Sequence, residues 1–471
     1  MSTELNSEIF REYDIRGIAD QDLTDSVVEN LGRAFAKYLR PKNAVTVAVG
    51  YDARMSALRI RDALCRGLNS AGLNVVDLGL CPTPALYFSL FHLSVEAGIM
   101  ITGSHNPSQY NGFKICVGKE TIYGSEIQAL RKIMLENKED IGAKMVGTTK
   151  EHPIIPEYVA FLKEKFPYVS DWPITVVVDS GNGTGGLATP EVLRFMGNSV
   201  IELFSEPDGR FPNHHPDPTV PKNLASLVSV LKEKHADIGI ALDGDSDRIG
   251  VVDETGKILW GDQLMVLFAR DILRDQPKAT FVSEVKCSQN MYDDIRKRGG
   301  NPIMWKVGHS LIKAKMKETG AVFAGEMSGH LFFADRYYGY DDAVYAAARI
   351  VELLRKTRRE QNSKVLMSSL LSGLPKTYST PEIRIDCPER IKFRVVEQVK
   401  NKLSLEKGLL DLITVDGVRP VFAQGWGLLR ASNTESVLVL RFESTDAESL
   451  KSIQDTLEGY TKETIEALSA L

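Results

Sequence analysis

Three aspartates, Asp243, Asp245 and Asp247, alternate directly behind the apolar run IGIAL. In an extended chain alternate side chains point the same way, and three neighbouring carboxylates repel one another unless a cation offsets their charge. Three such oxygen ligands suit Mg²⁺, which keeps further coordination positions for water or a phosphate oxygen. The spacing therefore predicts a divalent metal site, with the planar cation of Arg248 beside it.

A calcium-binding EF-hand loop is a competing interpretation of these aspartates. Glu254 falls at the twelfth position of such a loop, but Arg248 takes the sixth, where the sharp turn needs glycine. The segment IGVVDETGKILW that follows is typical of a strand hairpin, whereas an EF-hand continues into a helix. A solvated acidic turn is the third interpretation.

A serine stands where another buried run ends. The run AGIMIT, which ends at Thr102, continues directly into GSHNP. Ser104 would therefore emerge at the carboxyl end of a strand, where parallel sheets place their ligands. His105 and Asn106 are available to orient a group on Ser104, and Lys114 would bring a cation to the same edge. A nucleophilic serine and an ordinary turn both fit, because Ser, Asn, Pro and Gly all favour turns. No G-x-S-x-G elbow is present, which argues against acyl transfer.

Two later segments are candidates for binding a polyol and a phosphate. In GEMSGH, an acceptor, a hydroxyl and an imidazole alternate and would suit sugar hydroxyls, although a charged strand end would look the same. In GWGLLRASNTES, a guanidinium and small polar groups gather near glycines as in a phosphate-binding loop, although surface loops share that composition. The residues concerned are Glu326, Ser328 and His330 in the first segment, and Arg430, Ser432, Asn433 and Thr434 in the second.

Three further residues carry weaker signals. Tyr13 and Arg16 lie in FREYDIRG, and His309 begins a predicted helix after KVG. Arg16 could equally form a surface ion pair, and His309 could simply cap its helix. The Gly-rich GNGTGG lacks the residues of a P-loop and the Rossmann spacing, so it is interpreted as a tight strand-to-helix turn.

The elements between these motifs predict an α/β protein. Short β-branched runs are each followed by a Gly- or Asp-containing turn and a segment of helical period, which is typical of βαβ units with largely parallel sheets. This pattern occurs three times, and the last hundred or so residues read instead as an α+β module with a hairpin at LITVDGVRPVF. The expected domains are 1–150, 151–256, 257–366 and 367–471.

Composition narrows the class of protein further. The chain has 471 residues, of which 43% are hydrophobic and 25% charged, as in a globular protein with several cores. The formal net charge of −5 gives no general attraction to nucleic acid or an anionic membrane, and no apolar run is long enough to span one. Five scattered cysteines without a C-x-x-C spacing indicate neither a disulfide framework nor a zinc site, and favour the cytoplasm.

Taken in order, FREYDIRG, TGSHNP, DGDSDR, GEMSGH and RASNTES resemble the motifs of the α-D-phosphohexomutase family. GEMSGH and KVGHSLIK are most similar to its bacterial phosphomannomutase/phosphoglucomutase branch. The resemblance spans nearly the whole chain. It implies three related α/β domains with mixed sheets, and a smaller C-terminal α+β domain, around a central cleft.

The resemblance also implies roles for residues of this sequence. Ser104 would carry a phosphoryl group and hold Mg²⁺ together with Asp243, Asp245 and Asp247. His105 and Arg248 would lie beside that phosphate, and Lys114, His309 and Arg16 would serve proton transfer and orientation. Substrate binding would fall to Tyr13, Lys286, Glu326, Ser328, His330, Arg430, Ser432, Asn433 and Thr434.

The implied function is a phosphohexose mutase that interconverts hexose 1-phosphate and hexose 6-phosphate, with mannose and also glucose as the sugar. A hexose 1,6-bisphosphate would be the intermediate and activator. A phosphoglucosamine mutase shares the serine and metal loops, but Met327 argues mildly against it because a GEQSGH-like loop would be expected. A Mg²⁺-dependent sugar phosphatase and a catalytically silent sugar-phosphate-binding protein are alternatives from other classes. The expected partner is a small sugar phosphate, with neither nucleic acid nor membrane, and the expected state is a monomer or weak homo-oligomer.

Overall fold

The fold is described from a computed structural model, which covers residues 5–136, 145–433 and 435–469. The chain forms two compact units. The first contains residues up to 271 together with 328–370, and the second contains residues 272–327 together with 371 onward.

The first sheet has a parallel centre with antiparallel strands on one side. Its strands lie in the order β1-β5-β4-β2-β3-β7, with β6 paired to β5; β2, β3, β4 and β7 run parallel, β5 runs antiparallel to β4, and β1 runs antiparallel to β5. Its core consists of β-branched strand residues packed against amphipathic helices. The strands are β1 Ile15–Ile18, β2 Thr46–Tyr51, β3 Asn74–Leu80, β4 Ala97–Ile101, β5 Tyr110–Val117, β6 Glu120–Thr121 and β7 Thr149–Glu151. The helices are α1 Asp25–Leu39, α2 Ala57–Ser70, α3 Thr83–His92 and α4 Ser125–Glu136.

The second sheet, also in the first unit, repeats this plan with fewer strands. The order is β12-β11-β10-β8-β9, with β10, β8 and β9 parallel and with β11 and β12 forming the predicted antiparallel hairpin. The strands are β8 Thr175–Asp179, β9 Ser199–Leu203, β10 Ile238–Leu242, β11 Ile249–Asp253 and β12 Ile258–Leu259. The helices are α5 Ile155–Lys165, α6 Thr189–Phe195 and α7 Ala225–Glu233.

A third group of parallel strands begins the second unit. The strand β13 pairs in parallel with β14 on one side and with β15 on the other. The strands of this part of the chain are β13 Thr280–Glu284, β14 Asn301–Trp305, β15 Phe323–Gly325 and, in the first unit, β16 Leu331–Phe333. The helices are α9 Gln289–Lys297 and α10 His309–Thr319 in the second unit, α11 Ala343–Gln361 in the first, and α8 Gly261–Asp275, most of which belongs to the first.

The last sheet is antiparallel and is covered by two helices. Its order is β17-β22-β21-β20-β19, with β18 paired to β22, and β19 with β20 forms the predicted hairpin. The strands are β17 Tyr378–Ser379, β18 Ile383–Asp386, β19 Asp411–Ile413, β20 Arg419–Val421, β21 Gly425–Ala431 and β22 Val437–Ser444. The helices are α12 Lys392–Leu403 and α13 Ala447–Ser469.

The predicted alternation of β-branched strands and helices is confirmed in the first two sheets and in β13 to β15. The strands β4 and β10 are buried along their whole length, and each carries a chemically distinctive motif at its carboxyl end. Among the residues described, no helix is both long and apolar enough to cross a membrane.

Candidate active site

Ser104 lies in the loop after β4, with its side chain against the loop after β10. Its Oγ donates a hydrogen bond to Asp243 Oδ2 at 2.8 Å and lies 3.1 Å from His105 Nδ1. The backbone at Ser104 is left-handed, with φ at +49°, and the residue is buried. A buried serine in this backbone region is held by its surroundings, since non-glycine residues seldom adopt it unaided.

The serine loop is held by two residues, Asp52 and Arg54, that follow strand β2, the neighbour of β4. The Arg54 guanidinium is fully buried and donates to four backbone carbonyls of the loop at distances between 2.6 and 2.8 Å. Its Nε donates to Asp52 Oδ2, which also accepts from Thr102 Oγ1 at 2.8 Å. Burial lowers the pKa of Arg54 and raises that of Asp52, and each charge opposes the shift of the other. The four carbonyls belong to Ser104, Asn106, Pro107 and Tyr110.

The three aspartates are brought together by a tight turn. The sequence predicted an extended segment with alternating side chains, and that conformation is wrong: β10 ends at Leu242, and Ser246 adopts φ +60° within the turn. The reason is local hydrogen bonding, because Asp243 Oδ1 accepts from the N–H groups of both Asp247 and Arg248 at 3.1 Å. The carboxylates still converge, and one oxygen from each lies within 4.8 Å of the others.

The electrostatics of this cluster fit a divalent cation. Burial, together with the charges of Asp245 and Asp247, raises the pKa of Asp243 well above its ordinary value. Buried oxygens on Asp245 and Asp247, Oδ1 in each case, accept no hydrogen bond from the described residues. Acceptor-only oxygens left buried in this way suit metal coordination.

A lysine already neutralises part of the acidic charge. Lys114 Nζ donates to Asp245 Oδ2 at 2.6 Å and also to Asp247. Burial favours the neutral amine, but the charges of Asp245 and Asp247 outweigh it and raise the pKa of Lys114. Burial likewise acts against ionised Asp245, yet Lys114 and a hydrogen bond from Thr83 lower its pKa. Lys114 therefore carries its proton in this arrangement.

The Gly-rich turn GNGTGG supports both loops. Thr184 N–H donates to Gly244 O at 3.0 Å, and a Cβ on Gly183 would lie 2.6 Å from the same carbonyl oxygen. Gly244 in turn approaches Ser104 so closely that its own Cβ would lie 2.6 Å from Ser104 O. The predicted turn is present. Because Gly183 and Gly244 have no Cβ, three backbone segments can meet at the aspartate loop.

Further predicted site residues of the first unit lie in the same cluster or beside the serine loop. Arg248 Nε donates to His330 Nε2 at 2.9 Å, and Arg16 donates to Asn106 Oδ1 at 2.6 Å and to Asp14. Tyr13 is buried, and Ser328 is half-buried. The chain turns at residues 327–329 with Gly329 at φ +91°, so the alternation expected in GEMSGH is absent.

The second unit holds the remaining candidates for sugar binding. Glu326 Oε1 accepts from Gly308 N–H at 2.7 Å, immediately before His309 opens α10. Lys286 Nζ lies 3.2 Å from Glu382 Oε2 and 3.5 Å from Glu284 Oε2. Glu284 is fully buried, accepts from Met327 N–H, and was not found from the sequence. Burial raises its pKa to about 7, because the charge of Lys286 only partly offsets that cost.

The predicted phosphate-binding segment begins on β21, which contains Arg430, and continues into the loop after it in the same unit. Arg430 Nε donates to Asp416 Oδ2 at 3.0 Å, and the same oxygen accepts from Val307 N–H at 3.0 Å. Ser432 Oγ accepts from Glu435 N–H, and Asn433 follows it in the loop. Thr434 lies outside the described residues.

Two groups of predicted residues therefore emerge. The first unit brings together Ser104, His105, Lys114, the three aspartates, Arg248 and His330, and it places Arg16 against Asn106 beside the serine. The second unit contains Lys286, His309, Glu326, Arg430, Ser432 and Asn433. Asp52, Arg54 and Glu284 are additional buried charged residues. The one sequence signal that could have found them is their position at the carboxyl ends of strands β2 and β13.

A comparison with known protein families matches four parts of the chain in order. Residues 7–140, 156–256 and 260–377 match the phosphoglucomutase/phosphomannomutase alpha/beta/alpha domains I, II and III. Residues 382–459 match the C-terminal domain of the same proteins. The predicted fold class, three α/β domains followed by a smaller C-terminal domain, is confirmed.

Whole-chain comparisons give the same result. The chain is 43% identical over 458 residues to a phosphomannomutase/phosphoglucomutase of Pseudomonas aeruginosa, covering 97% of this chain and 96% of that one. It is 42% identical to a phosphoglucomutase of Neisseria gonorrhoeae, covering 96% of each. Among solved structures, a phosphoglucomutase/phosphomannomutase family protein of Burkholderia thailandensis superimposes with a TM-score of 0.90 at 39% identity, covering 98% of each chain.

Proposed function

The chain belongs to the phosphoglucomutase/phosphomannomutase family, and we propose that it interconverts hexose 1-phosphates and hexose 6-phosphates, with mannose and also glucose as the sugar. The observation that carries this proposal is the hydrogen bond from Ser104 Oγ to Asp243, beside two further buried carboxylates. A hydroxyl so close to a cation site can carry a phosphoryl group whose negative charge is offset where it forms.

Ser104 is the residue that carries the phosphoryl group in this proposal. The bond between phosphorus and Ser104 Oγ breaks as a bond forms to the free hydroxyl of a hexose monophosphate. The sugar hydroxyl loses its proton, Ser104 regains one, and a hexose 1,6-bisphosphate results. Mg²⁺, when held by Ser104, Asp243, Asp245 and Asp247, supplies positive charge for the transferring oxygens.

Residues around Ser104 would orient the transferring group. Arg248 and His105 lie at this loop, and Arg16 holds Asn106 beside it. Lys114, which carries its proton in the arrangement described, is kept as a second candidate for proton transfer beside Ser104. His309 is our candidate for accepting the proton of the sugar hydroxyl, since an imidazole titrates near neutral pH.

The sugar and its second phosphate are assigned to the other predicted residues. We assign sugar hydroxyls to Glu326 and Ser328, and we keep His330, which accepts from Arg248, as a further substrate-binding residue. The non-reacting phosphate is assigned to Arg430, Ser432, Asn433 and Thr434, and Tyr13 and Lys286 are kept as substrate-binding residues. For the second phosphate to return to Ser104 and give the isomer, the bisphosphate must turn around, so one phosphate-binding loop must accept two orientations of the sugar. Bisphosphate added to the assay would therefore also act as an activator.

We propose the domain boundaries near residues 150, 256 and 366 for the four domains. We further propose a cytoplasmic enzyme, a monomer or weak homo-oligomer, with a small sugar phosphate as its partner. Supporting these proposals are the net charge of −5 and the five cysteines, which are buried and form no disulfide with one another within the described residues.

Two assays separate the alternatives. Isomerisation would be followed with mannose 1-phosphate, glucose 1-phosphate and glucosamine 1-phosphate in parallel, each with the matching 1,6-bisphosphate. Inorganic phosphate would be measured in the same samples. We expect isomerisation of the mannose and glucose compounds to exceed phosphate release at every time point. Phosphate release without isomer would identify a phosphatase, and a preference for the glucosamine compound would identify a phosphoglucosamine mutase.

A further inference from the structure

Asp341 is a buried carboxylate behind the proposed reaction centre to which no role has yet been given. Its Oδ2 lies 3.0 Å from His330 Nδ1, and the opposite nitrogen of that ring accepts the hydrogen bond from Arg248 Nε. Asp341 is fully buried, and His330 is almost fully buried. Asp341, His330 and Arg248 thus form a chain that ends at the residue beside Asp243.

The proton positions in this chain follow from the chemistry of its members. An arginine Nε can only donate, so His330 Nε2 must present a lone pair to it. The neutral ring then carries its proton on Nδ1, the nitrogen that lies 3.0 Å from Asp341 Oδ2. Two lone pairs 3.0 Å apart would repel, so the carboxylate favours this tautomer and disfavours the opposite one. The other acidic group near Nδ1 is Asp247, whose Oδ1 lies farther away, at 3.7 Å.

The backbone around Asp341 is firmly held. Asp341 forms a β-bridge with Phe332, and the next residue, Asp342, caps the start of α11 through a hydrogen bond from Tyr345 N–H. Ala343 N–H donates to Ser246 O in the aspartate loop. The segment that carries Asp341 is therefore hydrogen-bonded directly to the aspartate loop, next to which Arg248 lies.

We propose that Asp341 is a positioning residue that acts through His330 to aim the Arg248 guanidinium at the phosphoryl group on Ser104. This inference rests on the proposed function, because it gives Arg248 a transferring phosphate to stabilise. In this proposal Asp341 acts only through His330 and contacts neither the substrate nor Ser104. Removing its charge should disturb the direction of Arg248 while leaving the metal ligands and the nucleophile in place.

The kinetic test uses Asp341→Asn, which keeps the shape of the side chain. We expect kcat for glucose 1-phosphate to fall roughly 10- to 100-fold, with KM changed less than about threefold, as for other residues that orient a group in the active site. In a His330→Ala background the same substitution should have no further effect. The matched control is Asp342→Asn, a buried neighbour that contacts tyrosines rather than His330, and its kcat should stay within twofold of wild type.

An independent readout is the tautomer of His330, measured by ¹⁵N NMR on histidine-labelled protein and assigned with His330→Gln. Wild type should show the proton on Nδ1, and Asp341→Asn should shift the population toward Nε2. An unchanged kcat, an equal loss in the His330→Ala background, or an unchanged tautomer in Asp341→Asn would each overturn the inference. If wild type isomerises no hexose phosphate, the proposed function fails instead, and the NMR experiment still tests the link between Asp341 and His330.

Discussion

Ser104 Oγ donates a hydrogen bond to Asp243 Oδ2 at 2.8 Å, although 139 positions separate the two residues in the sequence. Ser104 follows β4 in the first sheet and Asp243 follows β10 in the second, so two buried strands end against each other. The backbone of Gly244 lies against Ser104 O, which fixes the distance between the two loops. The positions of the proposed nucleophile and of the proposed metal-binding carboxylates are consequently set by the packing of two domains of the first unit.

The metal assignment predicts the behaviour of Asp245→Asn. This change removes one charged ligand from the aspartate loop, so the Mg²⁺ concentration for half-maximal activity should rise roughly 10-fold or more. The measurement is isomerase activity against free Mg²⁺ in wild type and variant. The control is Asp253→Asn. Asp253 lies at the end of β11, where its side chain accepts hydrogen bonds from Thr255 in the following turn, so this substitution should leave the Mg²⁺ dependence unchanged. Full wild-type activity in excess chelator would contradict the metal assignment.

The support of the serine loop predicts a large effect of Arg54→Lys. Lysine keeps the charge beside Asp52 but cannot reach all four carbonyls, so the free energy of unfolding should fall by about 3 kcal/mol and kcat should fall with it. Urea unfolding and steady-state kinetics would measure both. Arg66→Lys is the matched control, because Arg66 is exposed and pairs with the side chains of Asp25 and Glu29, so its replacement should cost less than about 1 kcal/mol. Equal effects of the two substitutions would argue against a special role for Arg54.

A buried carboxylate predicts how stability depends on pH. Burial raises the pKa of Asp342 from 3.8 to about 6, even though hydrogen bonds from Tyr345, Tyr337 and Tyr158 oppose the shift. Between about pH 4 and pH 6 the unfolded chain releases this proton while the folded protein retains it, so the free energy of unfolding falls as pH rises. The total loss is about 3 kcal/mol, complete above the folded pKa.

Asp342→Asn should remove that contribution. Relative to wild type, the variant should gain about 3 kcal/mol of unfolding free energy between pH 4 and pH 7, measured by urea unfolding at several pH values. Asparagine can still cap α11 through its Oδ1, and the amide N–H that replaces Oδ2 can donate to the Tyr337 hydroxyl oxygen, so the variant removes the charge and changes the direction of that one hydrogen bond. Identical pH profiles for the two proteins would show that Asp342 ionises normally in the folded state.

The pairing of Arg430 with Asp416 predicts a substrate-binding defect. Asp416 accepts from both Arg430 Nε and Val307 N–H, so Asp416→Ala should loosen the guanidinium assigned to the non-reacting phosphate. We expect KM for glucose 1-phosphate to rise about 10-fold with little change in kcat. Asp411→Ala, on the exposed end of the same hairpin, should leave KM unaltered. A fall in kcat at constant KM would place Asp416 in the chemical step instead.

The strands and the main chemical residues could be predicted because both are encoded locally. β-Branched runs gave β2, β4, β8 and β10, and polar residues at their carboxyl ends marked Ser104 and the aspartates. The conformation of the aspartate loop was mispredicted. Aspartates at every second position occur both in extended strands and in a turn whose N–H groups donate to the first aspartate, as they do here to Asp243.

Residues that act through tertiary contacts left a weaker signal, since their position near the end of a strand does not reveal their partners. Arg54 is an ordinary arginine until the fold places it under the serine loop, and Glu284 gains its raised pKa only from burial. Asp341 contacts His330 only because β16 and the residues after it bring the chain back to His330. None of these relationships is visible in residue spacing, because each is made by neighbouring strands or loops meeting in three dimensions.

The most direct test of a phosphoserine mechanism is the mass of the intact protein after incubation with glucose 1,6-bisphosphate and Mg²⁺. Wild type should gain the mass of one phosphate, mapped by peptide analysis to Ser104, and Ser104→Ala should gain none and lose nearly all turnover. Ser108→Ala, an exposed serine of the same loop, should be phosphorylated and active like wild type. Phosphorylation of Ser104→Ala to the wild-type level, or isomerisation by that variant at the wild-type rate, would contradict the account.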